Sequence, residues 1–350
     1  MKILALLTDA YGAPGGIAQY NRDFLEALAS SSQIEAIHCL VRAGQVNELP
    51  EKITQSAPIK NKLAYSIKSI QLAISLKPDI LFCGHINLLP LASLIAKLTG
   101  TKIWLQTHGI DAWDKPSNLT ARLIKKTALV TCVSRYTRQR FLQWANLNPF
   151  KVRVLPNTIS PRHCERSTAI SSLKNKNKII LTIGRLSSSE QYKGQDRILN
   201  CLPELIEQQP DTHYIIAGDG DDKPRLQQMV KKLGVTEHVS FLGKVEDEKL
   251  KQLYKTADLF AMPSTGEGFG IVFLEAMSQG TPALGLNEDG STDPLQDGEL
   301  GIVATKETLC EEILNALNNK ADKNLPEQVQ KIFGKQNFNE HVSTLLNVFV

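Results

Sequence analysis

The sequence predicts an α/β protein built from two doubly wound parallel sheets. Three observations carry that prediction. Short apolar runs alternate with longer amphipathic stretches along the whole chain, the grammar of βαβ units. A length of 350 residues suits two cores of ordinary size better than one. Around residues 157–178 the alternation lapses into Pro161, Ser167, Ser171, Ser172 and a Lys/Asn run, and a fresh apolar run opens at Ile179. The chain therefore divides into a first domain over 1–165, a linker over 166–178, a second domain over 179–330 and a tail over 331–350.

In the first domain, strands are expected over 2–7, 34–41, 80–83, 102–107, 129–133 and 152–155. In the second they are expected over 179–183, 213–217, 239–242, 259–262 and 281–286. Amphipathic spacing places helices over 17–29, 195–208, 223–233 and 246–257. The opening run Lys2-Ile3-Leu4-Ala5-Leu6-Leu7 is too short for a signal peptide and lacks a small-residue cleavage site, so it reads as a buried strand. The longest apolar stretch, 88–98, is interrupted by Pro90 and ends at Lys97, which excludes a spanning helix there. In the tail, Phe338, Val342, Leu345, Leu346 and Phe349 recur as one helical face that must dock on something.

Composition rules out disorder, collagen and a disulfide-rich scaffold. The six cysteines (Cys39, Cys83, Cys132, Cys164, Cys201 and Cys310) lie far apart, form no C-x-x-C pair, and suit a reducing cytosol. The net charge of +4 conceals an asymmetry. Residues 1–165 carry 20 Lys and Arg against 10 Asp and Glu, whereas residues 166–350 carry 20 against 26. A basic half can meet nucleic acid, an anionic membrane or an anionic substrate. Its aromatic interleaving is too thin for single-strand binding, and its charges read first as solvated helix faces. Lys60, Lys62 and Lys68 flank Leu63, Ile67, Ile70 and Ile74, a stripe assigned here to core packing, with a membrane interface as the alternative.

The richest segment runs from Pro263 to Gly280. A strand ends, three glycines follow in a loop, and a helix starts near Phe269 or Gly270 and stops at Gly280. Free backbone N–H groups and the positive end of the helix dipole suit an anion there. Glu267 and Glu275 would repel a diphosphate, so they make sense as grips on hydroxyls of a sugar or ribose. After the strand at 179–183 come Gly184-Arg185-Leu186 and Lys193-Gly194, placed where ligands of open α/β sheets bind, with an Arg fork and a Lys point charge suited to a diphosphate. The first turn, Gly12-Ala13-Pro14-Gly15-Gly16, opens a helix but matches neither G-x-G-x-x-G nor G-x-x-x-x-G-K-[ST]. His108, beside Gly109 and Asp111 after the strand at 102–107, is either structural or a site residue. Asp219-Gly220-Asp221 matches a metal-binding D-x-D, yet it equally makes a turn before Pro224, and the turn is preferred because no carboxylate or histidine cluster suggests a metal.

Together these segments resemble the family-4 retaining glycosyltransferases, and the resemblance spans most of the chain. It is carried by Glu267 and Glu275 in E-x7-E spacing, Arg185 with Lys193, Ala217-Gly218-Asp219-Gly220, Phe241-Leu242-Gly243, Gly15-Gly16 and His108. It implies a GT-B architecture: two Rossmann-like domains facing a central cleft, the first for the acceptor and the second for the donor, with the C-terminal helix packing back toward the N-terminal domain. The implied donor site comprises Gly15, Gly16, Arg185, Lys193, Val245, Glu267, Phe269, Gly270, Ile271 and Glu275. In it Glu267 binds the donor sugar, Glu275 the ribose, Arg185, Lys193 and the Gly16 amide the diphosphate, and the strand end at Val245 the base. His108 sits close to the transferred sugar and joins Glu267, Arg185 and Lys193 in catalysis. One departure is the separation of Arg185 and Lys193 by eight residues, where many members have five or six.

The expected function is metal-independent transfer of a hexosyl group from a nucleotide diphosphate sugar to a hydroxyl, with no cofactor. The acceptor is a sugar or lipid-linked molecule, as in cell-surface polysaccharide or glycolipid synthesis, and nucleic acid is not a partner. The protein is expected in the cytoplasm, with peripheral contact to anionic membrane an option. Retention through a covalent intermediate needs a carboxylate nucleophile that the sequence does not offer, so a front-face route is expected. The alternatives are a nucleotide-sugar epimerase of the same fold and a catalytically silent binding subunit.

Overall fold

The computed structural model describes residues 1–44, 48–159 and 178–350. Most of the 166–178 linker and Cys164 lie outside them. The chain divides into two units, Met1–Thr158 with Lys335–Val350, and Ile159–Gly334.

Seven strands form the sheet of the first unit: β1 (Lys2–Leu6), β2 (Ala36–Leu40), β3 (Ile53–Gln55), β4 (Ile80–Cys83), β5 (Lys102–Thr107), β6 (Leu129–Cys132) and β7 (Val152–Val154). Their spatial order is β3-β2-β1-β4-β5-β6-β7, and every pairing is parallel. Around the sheet lie α1 (Gly16–Ser30), α2 (Lys62–Leu76), α3 (Leu89–Thr99), α4 (Ile110–Trp113), α5 (Asn118–Leu123) and α6 (Arg135–Ala145). Because both faces are covered, β4 is buried at every residue, as parallel strands require. Pro90, read from sequence as a break, instead sits in the first turn of α3, where its missing N–H costs nothing.

The second unit repeats the topology with six parallel strands: β8 (Lys178–Ile183), β9 (Thr212–Ala217), β10 (Val239–Gly243), β11 (Leu259–Ala261), β12 (Ala283–Leu286) and β13 (Ile302–Ala304), ordered β10-β9-β8-β11-β12-β13. Its helices are α7 (Gln195–Gln208), α8 (Lys223–Lys232), α9 (Asp247–Thr256), α10 (Ile271–Ser278), α11 (Leu309–Asn318) and α12 (Leu325–Phe333). In both sheets the order reverses once, between β1 and β4 and between β8 and β11, and the carboxyl ends of strands at such a switch are where ligands bind. The short edge strands β3 and β13, three residues each, were not among the expected strands.

The tail joins the first unit. α13 (Lys335–Leu346) lies along α1, with Phe338 edge-on to Tyr20 at 6.2 Å and the Lys335 ammonium 2.8 Å from Glu26 Oε2 and 3.6 Å from Asp23 Oδ1. Phe349 stacks on Trp104 at 5.4 Å. Where the sequence suggests one helix over 331–350, Gly334 adopts an extended conformation and ends α12, so residues 331–334 stay with the second unit.

Two further expectations change. Cys201 on α7 and Cys310 on α11, 109 residues apart, form a disulfide, a pairing that only the packing of those helices creates. Cys39, Cys83 and Cys132 are free and buried, and burial pushes each thiol up to about 12. On α2 the core takes Tyr65, Ser69 and Ala73, while Leu63, Ile67 and Ile74 face solvent, Leu63 at 70% exposure. Of the stripe assigned to core packing, Ile70 alone packs against the core and the other three residues are surface features.

Candidate functional site

The second unit brings Arg185, Lys193 and Glu267 together beyond the carboxyl ends of β8 and β11, at the strand-order switch. The Gly184 N–H donates to the Ala217 carbonyl at 3.0 Å, so the chain leaving β8 stays against the end of β9. A Cβ on Gly218, whose φ is +147°, would collide with the Gly184 carbonyl oxygen, so only glycine fits this crossing. Residues Ser188–Lys193 make two short 3₁₀ turns joined at Glu190, and Gly194 in the left-handed region then opens α7.

Lys193 Nζ lies 2.8 Å from Glu267 Oε1, both side chains being largely buried. Burial by itself would lower the ammonium, but the Glu267 carboxylate and its hydrogen bond outweigh it, so Lys193 stays charged and its pKa is raised. Arg185 is mostly exposed and pairs with Glu190. The loop carrying Glu267 is braced from two sides. The Thr265 N–H donates to the Tyr192 carbonyl at 2.9 Å, and the Arg197 guanidinium donates to the Pro263 carbonyl. On the other side the Glu267 N–H donates to Asp289 Oδ2 at 2.7 Å. Asp289 is buried, which raises its carboxyl, while hydrogen bonds from Ser291 and the Glu267 N–H oppose that rise.

Gly270, with φ +82°, caps α10, and its missing Cβ leaves room for the Phe273 ring, whose carbons stand 2.6 Å from where a Cβ would be. The first-turn amides of α10, from Ile271 onward, thus begin beside Glu267. Glu275, one turn on, accepts a 2.9 Å hydrogen bond from the Tyr254 hydroxyl, and burial raises that phenol well above its ordinary value. The Phe269 side chain is buried edge-on to Phe333 at 5.9 Å, so only its backbone is available to a ligand. Val245, partly buried, lies just past β10. Asp219 pairs with Lys223 at 3.5 Å, and Asp221 accepts from the Ser188 hydroxyl and, at 3.0 Å, from the Ser188 N–H, the hydrogen bonding that lowers its carboxyl. Both acids are engaged in the turn, and no His/Cys/Asp/Glu group that could hold a metal ion occurs among the described residues.

Gly15, Gly16 and His108 belong to the first unit. Gly15, φ +105°, caps α1, and neither it nor Gly16 has an atom within 4 Å of where a Cβ would stand, leaving the helix start open. Arg22 Nη1 holds the preceding loop through the Ala10 and Ala13 carbonyls, both at 2.8 Å. His108 follows β5. Its Nε2 faces the Gly84 carbonyl at 3.0 Å and must carry the proton, which leaves Nδ1 as the acceptor. Burial lowers the imidazole to about 4, so it is neutral at pH 7. Asp111 Oδ1 accepts the His108 N–H at 3.0 Å, Oδ2 is buried without a hydrogen-bond partner, and burial raises the carboxyl to about 7. His85 lies 6.4 Å from the His108 ring.

The sequence reading missed Glu190, Tyr192, Arg197, Tyr254 and Asp289. Each touches a predicted site residue or its loop across 3 to 73 positions of chain, and no local spacing signals such a contact.

Two family profiles match consecutive stretches of the chain: one described as "Glycosyltransferase Family 4" over residues 14–163, and one described as "Glycosyl transferases group 1" over residues 165–335. Among curated proteins, a GDP-mannose-dependent alpha-(1-6)-phosphatidylinositol monomannoside mannosyltransferase of Mycolicibacterium smegmatis is 33% identical over 233 residues, which covers 61% of this chain and 60% of that protein. The phosphatidylinositol N-acetylglucosaminyltransferase gpi3 subunit of Schizosaccharomyces pombe is 31% identical over 54% of this chain and 41% of its own length. The matches thus span about 60% or less of these relatives. Among solved structures, Anabaena Alr3699/HepE in complex with UDP-glucose superposes with a TM-score of 0.78 at 21% identity over 99% of both chains. The lipopolysaccharide outer core galactosyltransferase WaaB, in its apo form, does so with a TM-score of 0.78 at 19% identity over the full length of both chains. With the fold shared over its whole length and the two profiles meeting at the passage from first to second unit, the chain belongs to the family-4-like glycosyltransferases.

Proposed function

We propose that the protein transfers a hexosyl group from a nucleotide diphosphate sugar to an acceptor hydroxyl with retention at the anomeric carbon. The observation that carries this reading is the convergence of Arg185, Lys193 and Glu267 beside the start of α10, at the strand-order switch of the second unit. Arg185 and Lys193 hold the donor diphosphate and stabilise its charge as it leaves. Glu267 grips the donor sugar and, through its bond to Lys193, fixes that cation in place. Glu275, oriented by Tyr254, takes the ribose, and the loop at Val245 receives the base. Gly16 offers an amide to the diphosphate and neutral His108 a hydrogen-bonding ring near the transferred sugar. The departing phosphate takes the acceptor proton on the same face, so the route needs no carboxylate nucleophile.

The acceptor in this reading is lipid-linked. The relatives named above that act on phosphatidylinositol derivatives support it, as does the α2 surface, where exposed Leu63, Ile67 and Ile74 lie among exposed Lys60, Lys62 and Lys68. The test is a thermal-shift panel of UDP- and GDP-sugars, followed by detection of free nucleoside diphosphate with a polyprenyl-linked or phosphatidylinositol acceptor. One donor class should raise the melting temperature, since a ligand that binds only the folded state stabilises it. Turnover should persist in excess chelator. A panel without any shift would refute the donor reading, and loss of turnover in chelator, restored by magnesium or manganese, would return Asp219 and Asp221 to consideration as ligands.

A further inference from the structure

Glu190 belongs to the extra length between Arg185 and Lys193, and it occupies the middle of the cationic site. One carboxylate oxygen pairs with Arg185 Nη2. The other stands 3.7 Å from Lys193 Nζ, too far for a hydrogen bond, and is buried without a hydrogen-bond partner. The side chain is only 14% exposed although it sits on a loop. Glu190 is also the joint of its loop, with φ −119° and ψ 26° between two 3₁₀ turns. Two cations, Arg185 and Lys193, therefore face two carboxylates, Glu190 and Glu267, and the local charge sums to zero. A diphosphate entering this neutral site meets a resident carboxylate already on Arg185.

Resting on the donor reading above, we propose that Glu190 is the resident counter-anion of the donor site, holding Arg185 and half-holding Lys193 until the diphosphate of the donor displaces it. The two contacts differ in consequence. Glu267 is tightly bound to Lys193 and remains, whereas Glu190 leaves one oxygen without a hydrogen bond and yields to a ligand that offers more acceptors and more charge. Its departure leaves the site with a net positive charge, so binding energy of the donor is drawn on to move Glu190, and the residue sets the apparent affinity for every diphosphate ligand.

The test measures binding of UDP, GDP, uridine and guanosine by calorimetry to the full chain and to Glu190→Gln, Glu190→Ala and Arg185→Ala, each checked for an unchanged melting temperature. Both Glu190 variants should bind the preferred diphosphate about fivefold more tightly, the factor given by sparing the attraction between opposite unit charges about 4 Å apart in water, which the ligand no longer has to break. The uncharged nucleosides should be unaffected. In the unmodified protein, saturating diphosphate should change amide hydrogen exchange across residues 187–193. Unchanged or weaker diphosphate binding in a folded Glu190 variant, or an exchange pattern over 187–193 that ignores the ligand, overturns the proposal. Arg185→Ala separates the two levels: if it leaves diphosphate affinity intact, the donor reading itself has failed, whatever Glu190 does.

Discussion

Glu267 and Glu275 share one loop and helix yet sit in different electrostatic company, Glu267 on a lysine ammonium and Glu275 on a tyrosine hydroxyl. Their truncations should therefore part ways. Glu275→Ala and Arg185→Ala are expected to weaken nucleoside diphosphate binding by roughly 1 to 3 kcal/mol each, the loss of a hydrogen bond to a charged group. Glu267→Ala should reduce turnover more than diphosphate affinity. Equal loss of diphosphate binding in the Glu267 and Glu275 variants, read by calorimetry, would refute that division. Asp111 supplies a second residue-scale prediction. Its carboxyl rises to about 7 because burial penalises the charge, so the folded state holds the proton more tightly than the unfolded state, and stability is lost as pH climbs from about 4 through 7. Asp111→Asn keeps an oxygen for the His108 N–H and cannot ionise. Its melting temperature relative to the unmodified protein should rise from pH 5 to pH 8, and a difference independent of pH would show that Asp111 does not titrate there. His108 contributes the opposite slope, since its lowered pKa makes the unfolded state bind more protons between about 6.5 and 4, but that term is common to both proteins.

At the scale of elements, the bond between Cys201 and Cys310 clips α7 to α11 on the outside of the second sheet. Closing a 109-residue loop restricts the unfolded chain, and removing such a link costs about 2 to 5 kcal/mol. Reduction with dithiothreitol should lower the melting temperature of the unmodified protein and leave that of Cys201→Ser unaltered. A melting curve insensitive to reductant would show that the link contributes nothing. The same two elements show where local sequence suffices and where it stops. The amphipathic period of 195–208 predicts α7 to the residue, but nothing in that period says that its Cys201 meets a cysteine more than one hundred residues away. Likewise the apolar spacing on α2 is genuine, yet period alone does not tell which of two apolar stripes meets the sheet. Packing chose Tyr65, Ser69 and Ala73, because α2 places these against β1 and α3 and leaves Leu63 and Ile67 outside.

At the scale of the molecule, the charge asymmetry gains a surface. Exposed Leu63, Ile67 and Ile74 among Lys60, Lys62 and Lys68, with Leu94 and Leu98 exposed on neighbouring α3, form a basic and apolar face of the first unit. Anionic lipid attracts a basic segment by about 1 kcal/mol per Lys or Arg near its surface, so three lysines are enough to matter. Sedimentation should recover more protein with anionic than with neutral vesicles, less at high salt, and less again for Leu63→Asp, which being largely exposed should fold normally. Binding indifferent to lipid charge and salt would return the acceptor to soluble sugars. None of the helices among the described residues is long and apolar enough to cross a membrane.

The strand and helix alternation, the two-sheet division, the glycines at 15, 218 and 270 and the pair Glu267 and Glu275 were all legible in the sequence, because each depends on residues within about ten positions of one another. Period reports burial, and glycine reports backbone that no side chain can occupy. What tertiary structure alone decided is which distant groups meet. It set Glu190 between Arg185 and Lys193, put Tyr254 on Glu275 and Asp289 on the Glu267 amide, joined Cys201 to Cys310, and chose α1 as the partner of α13, whose return to the first domain the resemblance already implied. Those pairings are fixed by strand order and helix docking, in which contact depends on distance in space and not on separation along the chain.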